Sequence, residues 1–360
     1  MPLPSSGSLT MAQINAEFGR GNDLNSYRGT TWYTAAGGSG TFPTGAISFS
    51  DFYGKQLASP AFNFTISAHQ NQANLRTLAV NAGWNQSSPV TATIASGIYI
   101  YSTDINVAAL TINGSFPNGV TLVNNGYIMG QGGNGASATG SAYNSISSGQ
   151  NGGAGISLGV SCTIFNNSYI AGGGGGGGGE GQTGQYGSNS LGGAGGAGGG
   201  TGGTNYNSLN TGAPYTAGGA GGGLGASGAN GSFAVGSYTD HGSGGGGRIF
   251  PSSRTTQVNA RATGANPGLG GSGGGTTIKA VADTYGGAPQ EAGSSASASA
   301  GVTGGGGGGW GASGGSGYNA VGLYVTAVYI APFGAGGKAV ALNGNSVSWG
   351  ATGNRYGAIS

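Results

Sequence analysis

The sequence predicts a mostly β and irregular protein. An N-terminal docking segment of short helices leads into a small β-strand module, then into a polyglycine-II helix sandwich with protruding loops. Three observations carry this prediction. Glycines recur at every third residue through long runs, alternating apolar residues mark strands on either side of those runs, and a duplicated helix-capping signal opens the chain.

The glycine spacing is the central signal. Gly172 to Gly179 is unbroken, and the three-residue step continues through Gly181, Gly184 and Gly187. It resumes at Gly193, Gly196, Gly199 and Gly202, again from Gly219 to Gly231, and again from Gly305 to Gly317. Three residues per turn is the period of the polyproline-II helix, which makes no hydrogen bonds to itself. Its buried amides must therefore find partners on neighbouring segments. Ordering a residue costs about 1–2 kcal/mol. A net hydrogen bond contributes about 0.5–1.5 kcal/mol and a Cα–H···O contact about 0.5–1 kcal/mol more. A lone glycine helix fails on those terms, whereas a stack of them holds. The expectation is that the blocks fold back on one another within the chain.

Composition narrows the class. Of 360 residues 88 are glycine, and only 5% are charged, against about 25% in a typical domain. A formal net charge of +2 leaves no strongly basic face for nucleic acid. Collagen needs strict triplets rich in proline, whereas the 11 prolines here are scattered. Cys162 stands alone, so no internal disulfide forms. The opening residues lack the charged and apolar regions of a secretory signal. The apolar stretch Tyr318 to Phe333 is too short and too glycine- and threonine-marked to span a membrane. The expectation is a soluble protein made in a reducing compartment without conventional export.

Residues 1–57 are read as an attachment segment. Leu9-Thr10-Met11-Ala12-Gln13-Ile14 is echoed by Ile47-Ser48-Phe49-Ser50-Asp51-Phe52. Thr10 and Ser48 take the N-cap position, with Gln13 and Asp51 three residues on, which is the capping-box spacing. Leu9 with Ile14, and Ile47 with Phe52, sit at hydrophobic-staple positions. The two short helices look too small for a private core. On that reading Leu9, Ile14, Phe18, Trp32, Tyr33, Ile47 and Phe52 bury in another protein; the alternative is a helical cap on the chain itself.

Residues 58–130 read as a β-strand module. Phe62, Phe64 and Ile66 alternate, as do Ile98 and Ile100 with Tyr99 and Tyr101. A second repeat ties the module to the glycines. Asn124-Asn125-Gly126-Tyr127-Ile128-Met129-Gly130 is echoed by Asn166-Asn167-Ser168-Tyr169-Ile170-Ala171-Gly172, each copy following a strand and running into glycine. Cys162 shares a strand face with Val160 and Ile164 and reads as a core residue. Residues 131–333 form the expected sandwich. Residues 334–360 read as a closing hairpin with a type I′ turn at Asn343-Gly344, and Val321, Leu323, Val325, Ala327 and Tyr329 share one face of the strand before it.

Between the glycine blocks lie the side-chain-rich segments, dominated by Tyr, Ser, Asn and Gly, the composition of adaptable binding loops. They carry the candidate binding residues Tyr186, Tyr206, Tyr215, Phe233, Tyr238, His241, Arg254 and Tyr285. If blocks alternate in direction, loops 180–191, 231–241 and 276–303 share one end, and loops 204–216 and 248–263 the other. Catalytic chemistry is sparse. The eight carboxylates form no local acid/base pair of the kind glycan hydrolysis uses. Asp240 and His241 with Ser243 are too close in sequence to act as a triad. His69 and His241 offer no metal spacing. No catalytic residue, metal or cofactor is expected.

With these motifs in view, roughly residues 60 to 350 resemble the distal adhesins of tailed-phage long tail fibres, T-even-like proteins built as a polyglycine-II sandwich. Phe62 to Gly135, the N-N-x-Y-I-x-G repeats and the glycine blocks carry the likeness. The capped duplication is similar to a segment found in phage tail proteins and departs from the T-even adhesin N-terminus. The resemblance implies a virion protein at the tail or tail-fibre tip, made in the host cytoplasm. It further implies a monomeric tip that binds a host outer-membrane protein or surface glycan through variable loops, with no catalytic residues, no nucleic acid and no membrane insertion. The alternatives are a structural or ice-binding glycine-rich protein, which would want a flat repetitive Thr or Ala face, and a surface-polysaccharide depolymerase.

Overall fold

A computed structural model describes residues 2–139, most of 142–207 and 302–319, and 325–360, together with the short strand pair at 258–259 and 269–270. Strands dominate; the α-helices among the described residues are Met11–Phe18 and Leu75–Asn81.

The N-terminal capping signals form as the spacing predicts. The Thr10 amide donates to Gln13 Oε1 at 2.8 Å and the Gln13 amide to Thr10 Oγ1 at 3.3 Å. Gly19 ends that helix at φ 70°. In the second copy the Ser48 amide donates to Asp51 Oδ2 at 2.7 Å, ahead of a 3-10 turn at Phe49–Phe52. The expectation of no private core is corrected. Leu3, Ile14, Phe18, Tyr27, Phe42 and Phe52 are buried together. Phe18 meets Phe42 edge-on at 5.2 Å and Phe52 at 5.9 Å, and Tyr27 meets Phe52 at 5.4 Å. The apolar mass missing from the helices comes from the loop between them, because aromatic rings bury large areas per residue. A three-stranded antiparallel sheet of Ser39–Thr41, Thr31–Thr34 and Lys55–Gln56 completes this unit.

From Phe62 onward the strands build a three-sided parallel β-solenoid. The first four coils each contribute one strand to each of three sheets and the last contributes to two, so two sheets are five-stranded and one four-stranded. The first coil carries Phe62–Ile66, Gln70–Asn71 and Ala73–Asn74, and the second Val90–Ile94, Tyr99–Tyr101 and Leu110–Ile112. The third carries Val120–Asn124, Tyr127–Met129 and Ile156–Leu158. The fourth carries Cys162–Asn166, Tyr169–Ala171 and Val340–Ala341, and the last Val347–Ala351 and Asn354–Tyr356. All pairing between coils is parallel, with Phe64, Ala92, Leu122, Ile164 and Trp349 aligned in one inward column.

The N-N repeat is a corner of this solenoid. Asn124 Nδ2 donates to Asn166 Oδ1 at 2.8 Å, and Asn166 Nδ2 donates to the Thr352 and Asn354 carbonyls at 3.0 and 3.1 Å. Both amides are fully buried and satisfied one coil to the next, as buried polar groups must be.

Two expectations are corrected here. Strand ladders do not stop at residue 130, since the coils run to Tyr356. The expected hairpin after Ala339 is also not one. Its turn forms, with Asn343 at φ 50°, Gly344 at φ 83° and the Asn345 amide donating to the Leu342 carbonyl at 2.9 Å. Its two flanks then enter different sheets, Val340 beside Ile156 and Val347 beside Cys162, both parallel. A type I′ turn fixes only a local reversal, and each flank finds an in-register partner in the preceding coil.

The glycine segments leave the solenoid at one corner, between its second and third sides. Residues 130–155 are inserted there in the third coil and 172–339 in the fourth. Along 172–179 the carbonyls fall into three rows. Ala171, Gly174 and Gly177 accept from Gly130, Gly133 and Ala136. Gly172, Gly175 and Gly178 accept from Gly311, Gly308 and Gly305. Gly173, Gly176 and Gly179 accept from Gly337, Gly334 and Ala331. Each row faces a different neighbour, and members of a row lie three residues apart. Side chains have no room here, for a Cβ on Gly176 would lie 1.9 Å from the Asn134 carbonyl oxygen.

The triplet register is shorter than its glycines suggest. Gly181, Gly184 and Gly187 belong to an antiparallel hairpin, Glu180–Gly184 with Gly187–Leu191. The runs from Gly193 and from Gly305 each double back, at Gly198 and Gly199 with φ 105° and 87° and at Gly311 with φ 65°. The Gly203 amide then donates to the Gly193 carbonyl at 2.9 Å. The block Gly219 to Gly231 lies outside the described residues.

Candidate interaction surfaces

The glycine array is pinned to the solenoid by one large side chain. Trp310 stands at the reversal of the third glycine run and is fully buried against Met129 and Ala171. Around it stand the tyrosines of the solenoid's second side. Tyr99, Tyr127, Tyr169 and Tyr356 form a ladder with centroid spacings of 4.9, 5.7 and 6.1 Å. Burial raises the pKa of Tyr99 and Tyr356, with a smaller push from the neighbouring tyrosine. The signal for Trp310 was visible, a lone indole inside a run of glycines, but no periodicity flags it.

Beyond the array, the hairpin at 180–191 is extended into a four-stranded antiparallel sheet by Tyr206–Asn207 on one side and Val325–Ile330 on the other. Val328, Tyr329 and Ile330 are all exposed, at 41%, 37% and 49%, and Phe333 beside them at 46%. Because Val328, Tyr329 and Ile330 are consecutive, partly exposed apolar side chains stand on both faces of the strand. Such a cluster of exposed apolar side chains is a feature of interaction sites.

Of the candidate receptor contacts, only the backbone of Tyr206 is described. Tyr206 pairs with Ser190 and Asn207 with Asn189. This corrects the placement of loops 180–191 and 204–216 at opposite ends. The reversal at Gly198 and Gly199 returns the chain to where it left. Tyr186, Tyr215, Phe233, Tyr238, His241, Arg254 and Tyr285 lie outside the described residues.

In the N-terminal unit, three of the expected docking residues are corrected. Ile14, Phe18 and Phe52 are buried in the unit's own core, at 0%, 4% and 0% exposure. Leu9, Trp32, Tyr33 and Ile47 remain partly exposed, and Phe49 and Leu57 are exposed at 37% and 45%. Lys55 Nζ lies 3.8 Å above the Trp32 ring, a cation–π contact. Burial lowers the Lys55 pKa, partly countered by Asp51. Trp32 Nε1 is buried without a partner among the described residues.

The sequence profile of the phage tail fibre adhesin Gp38 family matches residues 61–248. The chain belongs to that family. The adhesin is thus a virion protein of the tail or tail fibre, and this membership takes precedence over the structural and ice-binding alternatives. The matched span opens one residue before the first solenoid coil, so the N-terminal unit of this adhesin lies ahead of it. A solved structure described as the gp37-gp38 adhesin tip complex of the bacteriophage S16 long tail fibre aligns with 99% of this chain and 100% of that chain, at 17% identity and a TM-score of 0.40. No curated protein matches the adhesin by sequence.

Proposed function

We propose that this adhesin recognises a host surface receptor, an outer-membrane protein or a surface glycan, through loops carried on a polyglycine-II sandwich. The three carbonyl rows of 172–179, each bonded to a different neighbour at a three-residue step, support the sandwich. A backbone lattice of that kind is a rigid mount for variable loops, and binding residues concentrate on loops held by rigid scaffolds. The exposed cluster Val328, Tyr329, Ile330 and Phe333, at the opposite edge of the four-stranded sheet from Tyr206, is the observation that carries the reading. Tyr186, Tyr215, Phe233, Tyr238, His241, Arg254 and Tyr285 are the proposed further contacts. The work is recognition, without catalysis, cofactor or membrane insertion.

Attachment falls to the N-terminal unit. Phe49 and Leu57 are its exposed apolar side chains, and with the partly exposed Leu9, Trp32, Tyr33 and Ile47 they dock on another tail or tail-fibre protein.

Competition tests the receptor reading. Purified full-length adhesin is expected to block adsorption of its phage to host cells. A variant with Val328, Tyr329, Ile330 and Phe333 all changed to Ser should lose at least tenfold in blocking potency while keeping its melting temperature. Equal blocking by the variant excludes this surface.

A further inference from the structure

Strand residues alternate in direction, so the residues between the inward columns line the outside of the first sheet. Register sorts them into two outward columns. The first holds Asn63, Thr91, Thr121, Thr163 and Ser348, and the second Thr65, Thr93, Val123, Phe165 and Ala351. Rungs repeat at about 4.8 Å along the solenoid axis. None of these residues is charged. Beside the first column runs an open groove of ≈ 380 Å³, lined by Thr91, Thr121, Thr163 and Ser348 with Asn118 and Ser161.

Phe165 gives this face its aromatic surface. Its side chain is 39% exposed. The ring occupies the space over Gly350, where a Cβ would lie 2.1 Å from Cε1. The register irregularity between Ile164 and Phe165 puts that glycine beneath it. Phe165 covers Gly350 on one side yet stays partly exposed beside the column of hydroxyls.

We infer that this face is a subsite for a linear neutral glycan lying along the solenoid axis, with sugar hydroxyls against the first column and one sugar ring against Phe165. The inference rests on the adhesin reading only in that the chain meets a cell surface. Serine and threonine hydroxyls both donate and accept, and so match a polyol at every rung. The rung spacing is close to the length of one pyranose unit, so a chain of sugars stays in phase with the ladder over several coils. An acidic or phosphorylated polymer meets no cation on this face. A protein partner would want a larger apolar centre than Val123 and Phe165 supply.

The test uses full-length adhesin on an array of linear oligosaccharides, with neutral, carboxylate-bearing and phosphate-bearing members. Binding to neutral chains longer than a disaccharide is expected. Thr91→Val, Thr121→Val and Thr163→Val combined keep the β-branched shape and should weaken that binding at least tenfold, and Phe165→Ala by a similar factor. Hydrogen exchange with the bound oligosaccharide provides a readout independent of variants, with new protection expected at residues 90–94, 120–124 and 162–166. Binding equal to wild type in the triple variant, protection elsewhere, or a preference for acidic chains overturns the inference. Loss of all array binding with adsorption blocking intact overturns it too, and leaves the receptor reading standing.

Discussion

The solenoid and the glycine array solve the same problem in opposite ways. Both bring backbone strands side by side and bond them laterally. In the solenoid the three sheets are held apart by what fills the middle, such as Leu122 between Ala92 and Ile164. In the array the neighbours close on each other because nothing stands between them, as at Gly176 and the Asn134 carbonyl. A core filled by side chains tolerates swaps of similar volume. A lattice closed by backbone contact admits a methyl at few places, such as Ala136 and Ala331, and none at Gly176.

The largest expected effect comes from placing one methyl in the array. In Gly176→Ala the new Cβ would sit 1.9 Å from the Asn134 carbonyl oxygen and 2.4 Å from its carbon. Backbone on both sides must move, and the hydrogen bonds of the row break with it. A loss of more than about 4 kcal/mol is expected, in the exceptional range for a point change. Calorimetry of the purified variant checks it. A melting temperature within a few degrees of wild type would mean that the array is looser than its hydrogen bonds imply, and the contrast with the solenoid would fail.

Trp310→Ala comes next. It removes the side chain by which the array presses on the solenoid, leaving a cavity beside Met129 and Ala171. Such truncations cost about 3–5 kcal/mol. Hydrogen exchange sharpens the comparison, because faster exchange is expected at 305–316 and at 198–200 while 90–94 holds. Uniform acceleration would show one cooperative unit instead of two joined parts.

How much of this was legible depends on the range of each signal. Local signals read through. The capping boxes at Thr10 and Ser48 and the turn at Asn343-Gly344 are set by a few neighbouring residues, and they formed. The N-N-x-Y-I-x-G repeat pointed to strands feeding glycine runs, but not to the coil that closes behind them. Val340 returns to pair with Ile156 only after the long insertion, and strands of three to five residues carry no mark of which partner they will meet. The folding back at Gly198 and Gly199 was hidden for another reason. Within continuous glycine any position can take positive φ, so composition does not say where the chain turns. For that reason Tyr206 was assigned to the wrong end. In the N-terminal unit the aromatic content is plain in the sequence, but nothing local says whether rings such as Tyr27 and Phe42 turn inward or toward a partner, and their inward packing makes Ile14, Phe18 and Phe52 a core.

The smallest expected effect separates the two regions by pH. Cys162 sits in the solenoid core, and burial pushes its thiol up from 9.0 to about 11. The folded value lies above the unfolded one, so the stability tied to the neutral thiol is complete below pH 9 and is lost as pH rises toward 11. Tyr99 and Tyr356 are raised by the same cause and act in the same direction. Denaturant midpoints measured from pH 8 to 11 should therefore fall, and Cys162→Ala should flatten part of the slope between pH 9 and 11. The shift corresponds to at most about 2–3 kcal/mol at the alkaline end. No comparable group lies within Gly172 to Gly179, whose cohesion is carried by backbone amides alone. Protection there should outlast protection at 162–166 as pH rises. If the two fail at the same pH, Trp310 couples them into one transition, and the array inherits the pH sensitivity of the core that holds it.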